Sequence, residues 1–329
     1  MPGFEDGALI ADRYRVGRMI GRGGMGMVYD VVDEKTNQRL AMKTLLPQYT
    51  KNKQALKRFV REVQIVRELD HPCVVKITDA GEVESVMYYT MEFLEGKSLR
   101  HWMVQRKRFG LGSTVRVLGM LCSALEHAHP KSIIHRDISP ENVMVTEKGS
   151  VKLLDFGLSK LDDDNSAALT RIGVSLGKVQ YGAPEQLTDA KNVDQRADIY
   201  ALGVMFYEML SGQLPKPDVK LSTLVPTIPF ECDDFAERAT AKDPNRRPAT
   251  AKAFREELMV IYQGVKAGEQ AAKQTAQQAV AREMATQAPP AAPPLDTTKK
   301  GKVIKPLGRF ARLGAACGRF FRRITGRGK

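Results

Sequence analysis

The chain has 329 residues, 43% of them hydrophobic, enough to bury a core around a domain of about 250 residues with segments to spare. Its net charge of +13 is unevenly placed: residues 299–329 hold eleven Lys and Arg and no Asp or Glu, which leaves +2 for the rest, so the basicity belongs to a tail. Cys73, Cys122, Cys232 and Cys317 lie far apart, the first residues lack the pattern of a signal peptide, and no run of about 18 apolar residues occurs; these features exclude a cysteine zinc site, a disulfide framework and a membrane span, and fit a reducing cytoplasm.

Residues 1–13 read as an N-terminal extension. Tyr14–Gly21 alternates as a strand, and Met27–Val32 continues as a second after a turn carrying Gly21, Gly23 and Gly26. Glycines at this spacing let backbone N–H groups approach phosphate oxygens without a Cβ clash. The dinucleotide-binding turn shares the spacing, but there a helix begins inside the motif. Leu40–Leu45 reads as a third strand. Lys43 within it is a snorkelling surface lysine or a partner of phosphate, and its place between Met42 and Leu45 favours the second. Leu56, Phe59, Val60, Val63, Val66 and Leu69 recur at helical spacing over Lys53–Leu69, with Glu62 at the edge of that stripe. Lys43 is one partner for Glu62; Arg58 and Arg61 on its own helix are others. His71-Pro72 ends the helix, and strands follow at Val74–Ala80 and Val86–Phe93.

Ser98–Arg108 and Ser113–His129 are helical by pattern, with His127 and His129 read as structural or solvent-facing. Between the short apolar runs Ile133–Ile134 and Val143–Val145 lies a polar core of His135, Arg136, Asp137, Glu141 and Asn142. Apolar flanks bury a segment, so its polar groups must be hydrogen-bonded or hold a ligand, and Pro140 keeps it from closing into a helix. A short strand from Val151 then leads to Asp155-Phe-Gly. Asp137, Asn142 and Asp155 offer oxygen ligands for Mg²⁺ beside a group that accepts a proton. A polar stretch from Lys160 to Thr170 gives way to order at Gly177–Glu185. An apolar helix follows over Asp194–Leu210, then a proline-rich, poorly helical segment to Phe235, and then Lys242–Pro248. Gln270–Gln287 is rich in Ala and Gln, and residues 288–294 form a stiff proline-rich spacer.

The loop His135–Asn142, reading H-R-D-x-x-x-x-N, and Asp155-Phe-Gly resemble the catalytic and metal-binding motifs of Hanks-type protein kinases of bacterial style. Gly21–Gly26, Ala183-Pro-Glu185 and Lys242–Pro248 follow in the family's order, so the resemblance spans about Tyr14 to Tyr262. It implies an α+β fold of two lobes: an antiparallel sheet plus one helix over about 14–93, and a mostly helical lobe over about 94–262. Residues 263–298 are then a linker and 299–329 a tail. The resemblance implies ATP-dependent transfer of a phosphoryl group to Ser/Thr hydroxyls of proteins, with Mg²⁺, or Mn²⁺ in its place. ATP would lie under Ile20, Gly21, Arg22, Gly23, Gly24, Met25, Gly26 and Val28, against Ala41, the gatekeeper Met91, the backbone of Glu92 to Leu94, and Met144. Lys43, aligned by Glu62, would hold the α- and β-phosphates; Asn142 and Asp155 would bind metal; Asp137 would take the substrate proton. Asp198 would brace the catalytic loop, Arg247 would pair with Glu185, and Arg136 would hold an activation segment phosphorylated at Thr170, Ser166 or Ser175, with dimers serving phosphorylation in trans.

Two positions depart from the family. Ser139 stands where a Lys usually contacts the γ-phosphate, and Lys178 stands where a Thr is usual, as if hydroxyl and ammonium had traded places. The rival reading is a nucleotide-binding pseudokinase that serves as a scaffold. In the tail, Phe310, Leu313, Cys317, Phe320 and Ile324 recur at helical spacing among arginines, which suits an anionic membrane surface at the inner face better than nucleic acid.

Overall fold

Alternating side chains with one set turned inward build a sheet, and the first lobe starts there. The structure, a computed structural model, describes residues 4–24, 26–156, 178–189 and 192–286. Strands β1 (Leu9–Ile10), β2 (Tyr14–Arg22), β3 (Gly26–Asp33) and β4 (Gln38–Leu45) run antiparallel to their neighbours. Helix α1 (Lys53–Arg67) follows, then β5 (Ile77–Val83) and β6 (Val86–Glu92), giving the order β1-β2-β3-β4-β6-β5. One face buries Tyr14, Val16, Tyr29, Val31, Leu40 and Met42. The other presents Ala41, Leu45, Tyr89 and Met91 to the main core, where α1 adds Ala55, Phe59, Val63 and Val66. Asn52 caps α1 by accepting the N–H groups of Gln54 and Ala55, as an N-terminal side-chain oxygen should.

The helix stops earlier than His71-Pro72 implies. Glu68 N–H turns back to Ile65 and Val66 carbonyls, so α1 ends at Arg67. The strand expected from Val74 begins at Ile77 instead, because the residues before it are claimed by the second lobe. Val75 N–H donates to Leu153 O at 3.1 Å, and Leu153 N–H donates to Cys73 O at 2.8 Å.

The second lobe comprises β7 (Gly96–Ser98), α2 (Leu99–Arg106), α3 (Leu111–Ala128), β8 (Val143–Thr146) and β9 (Val151–Leu153), then α4 (Glu185–Thr188), α5 (Arg196–Ser211), α6 (Leu221–Leu224), α7 (Glu231–Ala239) and α8 (Ala251–Thr286). Strands β7, β8 and β9 form a small sheet of their own. Every residue of α5 from Ala197 to Ser211 apart from Tyr200 is buried, the mark of a helix surrounded on all sides. The proline-rich stretch before Phe235 is less irregular than its composition implies. Glu231–Ala239 is helical, with acidic Glu231, Asp233 and Asp234 in its first turn, where they complement the helix dipole. Phe235 anchors it between Phe206 and Phe254, with ring centroids 5.1 and 4.8 Å apart. Helix α8 runs through residue 262 without a break, and the compact unit ends at Gln274.

Arg247 holds the end of the lobe together. Its side chain is fully buried, donates to both oxygens of Glu185 at 2.6 and 2.8 Å, and caps the Ala241, Arg196 and Lys242 carbonyls. Removing one partner of such a pair strands the other charge. Arg247→Ala should therefore lower the unfolding free energy by about 3–5 kcal/mol, seen as a lower urea midpoint at constant m-value.

Candidate active site

The loop after α3 is built around a buried carboxylate. Asp198, 1% exposed in the first turn of α5, accepts the backbone N–H of His135 at 2.9 Å and of Arg136 at 2.8 Å. His129 Nε2 lies 2.9 Å from the same carboxylate. His135 Nδ1 accepts Asp137 N–H at 3.2 Å, so its Nε2 carries the proton and donates to Leu154 O at 2.8 Å. The ring thus ties the loop of Asp137 to the segment of Asp155. Asn142 donates Nδ2 to both the carbonyl and the carboxylate of Asp137, at 2.8 and 2.9 Å, which fixes that carboxylate and leaves the amide Oδ1 as an acceptor.

A second cluster forms around Lys43. Its ammonium donates to Glu62 Oε1 at 2.9 Å and to Asp155 Oδ1 at 2.7 Å, so Glu62 pairs across to β4 in preference to arginines of its own helix. Burial alone would pull the lysine toward neutrality. The Asp155 and Glu62 carboxylates, with Tyr89 nearby, overcome it and hold the pKa well above the ordinary lysine value. Tyr89 Oη donates to Glu62 Oε1 at 2.7 Å and fixes the rotamer from the other side. Sequence reading missed Tyr89, although register places it opposite Lys43 in the β4–β6 pair. Of the two readings of His129, structural or solvent-facing, the fold supports the structural one, and it supplies the partner that the sequence did not name, Asp198.

The residues expected to take a nucleotide come from both lobes. Ala41 and Met91 are buried and paired across β4 and β6, while Val28, Leu94 and Met144 are half-buried. Ile20 is 42% exposed on β2. Gly21 and Arg22 end that strand, and Gly23 and Gly24 turn toward Met25, which lies outside the described residues. The glycines serve packing as well as approach. A Cβ on Gly26 would sit 2.5 Å from Thr44 O, and Gly23 N–H closes the turn onto Gly26 O at 2.8 Å. Glu92 N–H donates to Lys76 O at 3.0 Å, so only its carbonyl is left for a ligand at that position. Its side chain meets Lys152 at 2.6 Å, a pair that sequence spacing does not reveal.

Among the described residues no group of three or more His, Cys, Asp or Glu could enclose a metal. One carboxylate, Asp155, and one amide oxygen, Asn142 Oδ1, suit a Mg²⁺ that keeps waters and shares phosphate oxygens, and would not suit a cage built of protein alone. Ser139 is 1% exposed with no hydrogen-bond partner for Oγ among the described residues. Lys178 opens a short 3₁₀ turn through Tyr181; its side chain, with Thr170, Ser166, Ser175 and residues 299–329, lies outside the described residues. Arg136 has φ of 62° and donates to Val193 O at 3.2 Å, while its buried Nε has no partner among the described residues. Burial lowers its pKa below the ordinary arginine value; Asp198 opposes the shift and Arg61 adds to it.

Residues 14–259 match the family described as "Protein kinase domain". The chain is 36% identical over 260 residues to a probable serine/threonine-protein kinase PknB of Lactococcus lactis, covering 74% of this chain and 41% of that protein. It is 31% identical over 278 residues to the serine/threonine-protein kinase PrkC of Bacillus subtilis, covering 80% and 42%. The chain thus spans about two fifths of the length of the curated relatives it matches. The crystal structure of the Mycobacterium tuberculosis PknI kinase domain superposes with a TM-score of 0.64 at 27% identity, covering 79% of this chain and 100% of that one.

Asp198 accepts from three donors, the His135 and Arg136 N–H groups and the His129 ring. Asp198→Ala leaves those donors buried and unmet, so it should destabilise the fold by about 3 kcal/mol or more, measured by thermal and urea melts. Asp198→Asn keeps the shape but offers a single acceptor oxygen and should cost about half as much.

Proposed function

This chain belongs to the protein kinase family, with bacterial serine/threonine-protein kinases among its relatives, and from that premise we propose that it transfers the γ-phosphoryl group of ATP to Ser/Thr hydroxyls of protein substrates. The observation that carries the reading is the meeting of Lys43, Glu62 and Asp155, from β4, α1 and the segment after β9, beside the fixed carboxylate of Asp137. When bound, Mg²⁺ neutralises charge on the phosphates, and Asp155 Oδ and Asn142 Oδ1 are the atoms that would hold it. Lys43, charged because two carboxylates flank it, is suited to orient the α- and β-phosphates. Glu62, gripped by Tyr89, sets the reach of Lys43. Asp137, aimed by Asn142, aligns the substrate hydroxyl and receives its proton as the phosphoryl group leaves.

Arg136 supports a further element of the proposal. A half-buried guanidinium with a lowered pKa and an Nε unmet among the described residues favours an anion, and a phosphorylated hydroxyl at Thr170, Ser166 or Ser175 would supply one, introduced by autophosphorylation between two copies. Lys178 is the residue placed in sequence to supply the charge that Ser139 lacks. The tail at residues 299–329 would hold the kinase at an anionic membrane surface, and deleting it should abolish sedimentation with phosphatidylserine vesicles without affecting neutral ones.

Purified protein given radiolabelled ATP tests the core of the reading. Asp137→Asn should cut incorporation by about 10²–10⁴-fold with little change in folding. Equal labelling of wild type and variant, or none in either, would favour the scaffold alternative. Lys178→Ala should lower kcat by about 10²–10³-fold if its ammonium stabilises the transferring group; near-normal turnover would assign that charge elsewhere.

A further inference from the structure

Beside the catalytic loop, α2, the turn after it and the C-terminal end of α5 enclose an open cavity of about 370 Å³. Its inner wall is a closed ionic network. Arg100 on α2 donates to Glu141 Oε1 and to Glu208 Oε1, both at 2.7 Å, and also to the Tyr181 hydroxyl. Tyr181 in turn donates to the second oxygen of Glu208. Both carboxylate oxygens of Glu208 therefore already accept a hydrogen bond, and Arg100 balances the charge of the one acid that lines the cavity.

The mouth carries the opposite charge. Lys107 and Arg108 line it, both exposed, and neither pairs with a carboxylate among the described residues; Arg108 meets only the Leu224 carbonyl, at 3.2 Å. Counting Arg100 and Glu208, the lining bears a net charge of +2. The backbone that carries the two cations is closely packed. Lys107 has φ of 60°, and Gly212, at φ of 74°, lets the turn close so tightly that a Cβ there would lie 2.5 Å from Lys107 O. Val104, 70% exposed, supplies an apolar edge beside them. The site adjoins the chemistry through Glu141, whose sequence neighbour Asn142 grips Asp137.

We propose that this cavity is a docking subsite for an acidic segment of the protein substrate, with carboxylates against Lys107 and Arg108 and an apolar side chain against Val104. The proposal rests on the kinase reading and adds the class of substrate. Charge complementarity selects the occupant: carboxylates gain two counter-charges, whereas a basic segment meets two like charges. The rival occupant is a basic segment directed at Glu141, whose Oε2 is buried without a partner among the described residues, but Glu141 does not line the cavity.

Labelled peptides of one sequence, varied only by Asp/Glu, Ser or Lys/Arg in the flanks of the acceptor, can be titrated against the full chain by fluorescence anisotropy. At low salt the acidic peptide should bind about three- to tenfold tighter than the neutral one, as two exposed ion pairs would give, and the advantage should fade as salt screens it. Lys107→Glu with Arg108→Glu should remove the advantage, and Val104→Asp should weaken acidic peptides alone, each with an unchanged melting temperature. Equal affinities, tighter binding of the basic peptide, or an acidic preference that survives the double reversal would overturn the proposal; the last would assign it to the cations of residues 299–329. Binding needs no turnover, so this result is independent of whether Asp137-dependent labelling is seen.

Discussion

A buried ammonium is tolerated only where negative groups surround it, and Lys43 meets that condition with one carboxylate from each lobe. Glu62 reaches it from α1 and Asp155 from the segment after β9, at 2.9 and 2.7 Å. The first lobe's sheet, its single helix and the second lobe's Asp155 segment therefore share one charge. If α1 rotated away or the Asp155 segment flipped, the ammonium would lose a counter-charge in a place with little water. The pairing reports on lobe arrangement as much as on chemistry, and the sheet register that sets Tyr89 opposite Lys43 keeps Glu62 from wandering.

The seam between the lobes is firmest behind that cluster. Residues 73–75 join the β9 segment by two backbone hydrogen bonds, and Lys152 on β9 bonds Glu92 at the end of β6. The connection after α1 thus travels with the second lobe, although sequence order assigns it to the first. Motion between lobes must then be absorbed by α1 and the sheet on one side and by the connection through Gly96 on the other. Helix α1 is tied to the sheet by the bonds that Lys43 and Tyr89 make to Glu62 and by the Phe59 ring against Tyr89, with centroids 5.3 Å apart.

Sequence periodicity located most of these elements because it reports burial, and burial is what a strand or helix face encodes. It erred where tertiary partners overrode local pattern. Val74 and Val75 look like a strand start, yet the residues on either side of Val74 bond to Leu153, far along the chain. The proline-rich stretch looked irregular, yet the acidic first turn and Phe235 sustain α7. At the site, residues defined by a motif were legible: Lys43, Asp137, Asn142 and Asp155 all stand in recognisable contexts. Residues defined by an encounter were not. Tyr89, His129, Arg100 and Lys152 belong to common residue types at ordinary positions, and their roles exist only once separate elements meet.

The geometry needed for chemistry is locally unfavourable, and the core sustains it. Arg136, next to Asp137 in the chain, and Asp155 have φ of 62° and 46°, a region that costs a side-chain-bearing residue about 1–2 kcal/mol. Neither position would hold that shape alone. The strained turn at Arg136 is set by Asp198, which takes the N–H groups of both His135 and Arg136, and Asp198 stands on the most deeply buried helix of the lobe. His135 passes the constraint on, because its ring joins Asp137 N–H to Leu154 O, one residue before Asp155. The apolar packing of α5 thereby fixes the backbone at both aspartates through one carboxylate and one imidazole. A helix with few polar residues can thus set the shape of a loop that it meets through one side chain, since what it supplies is resistance to relaxation.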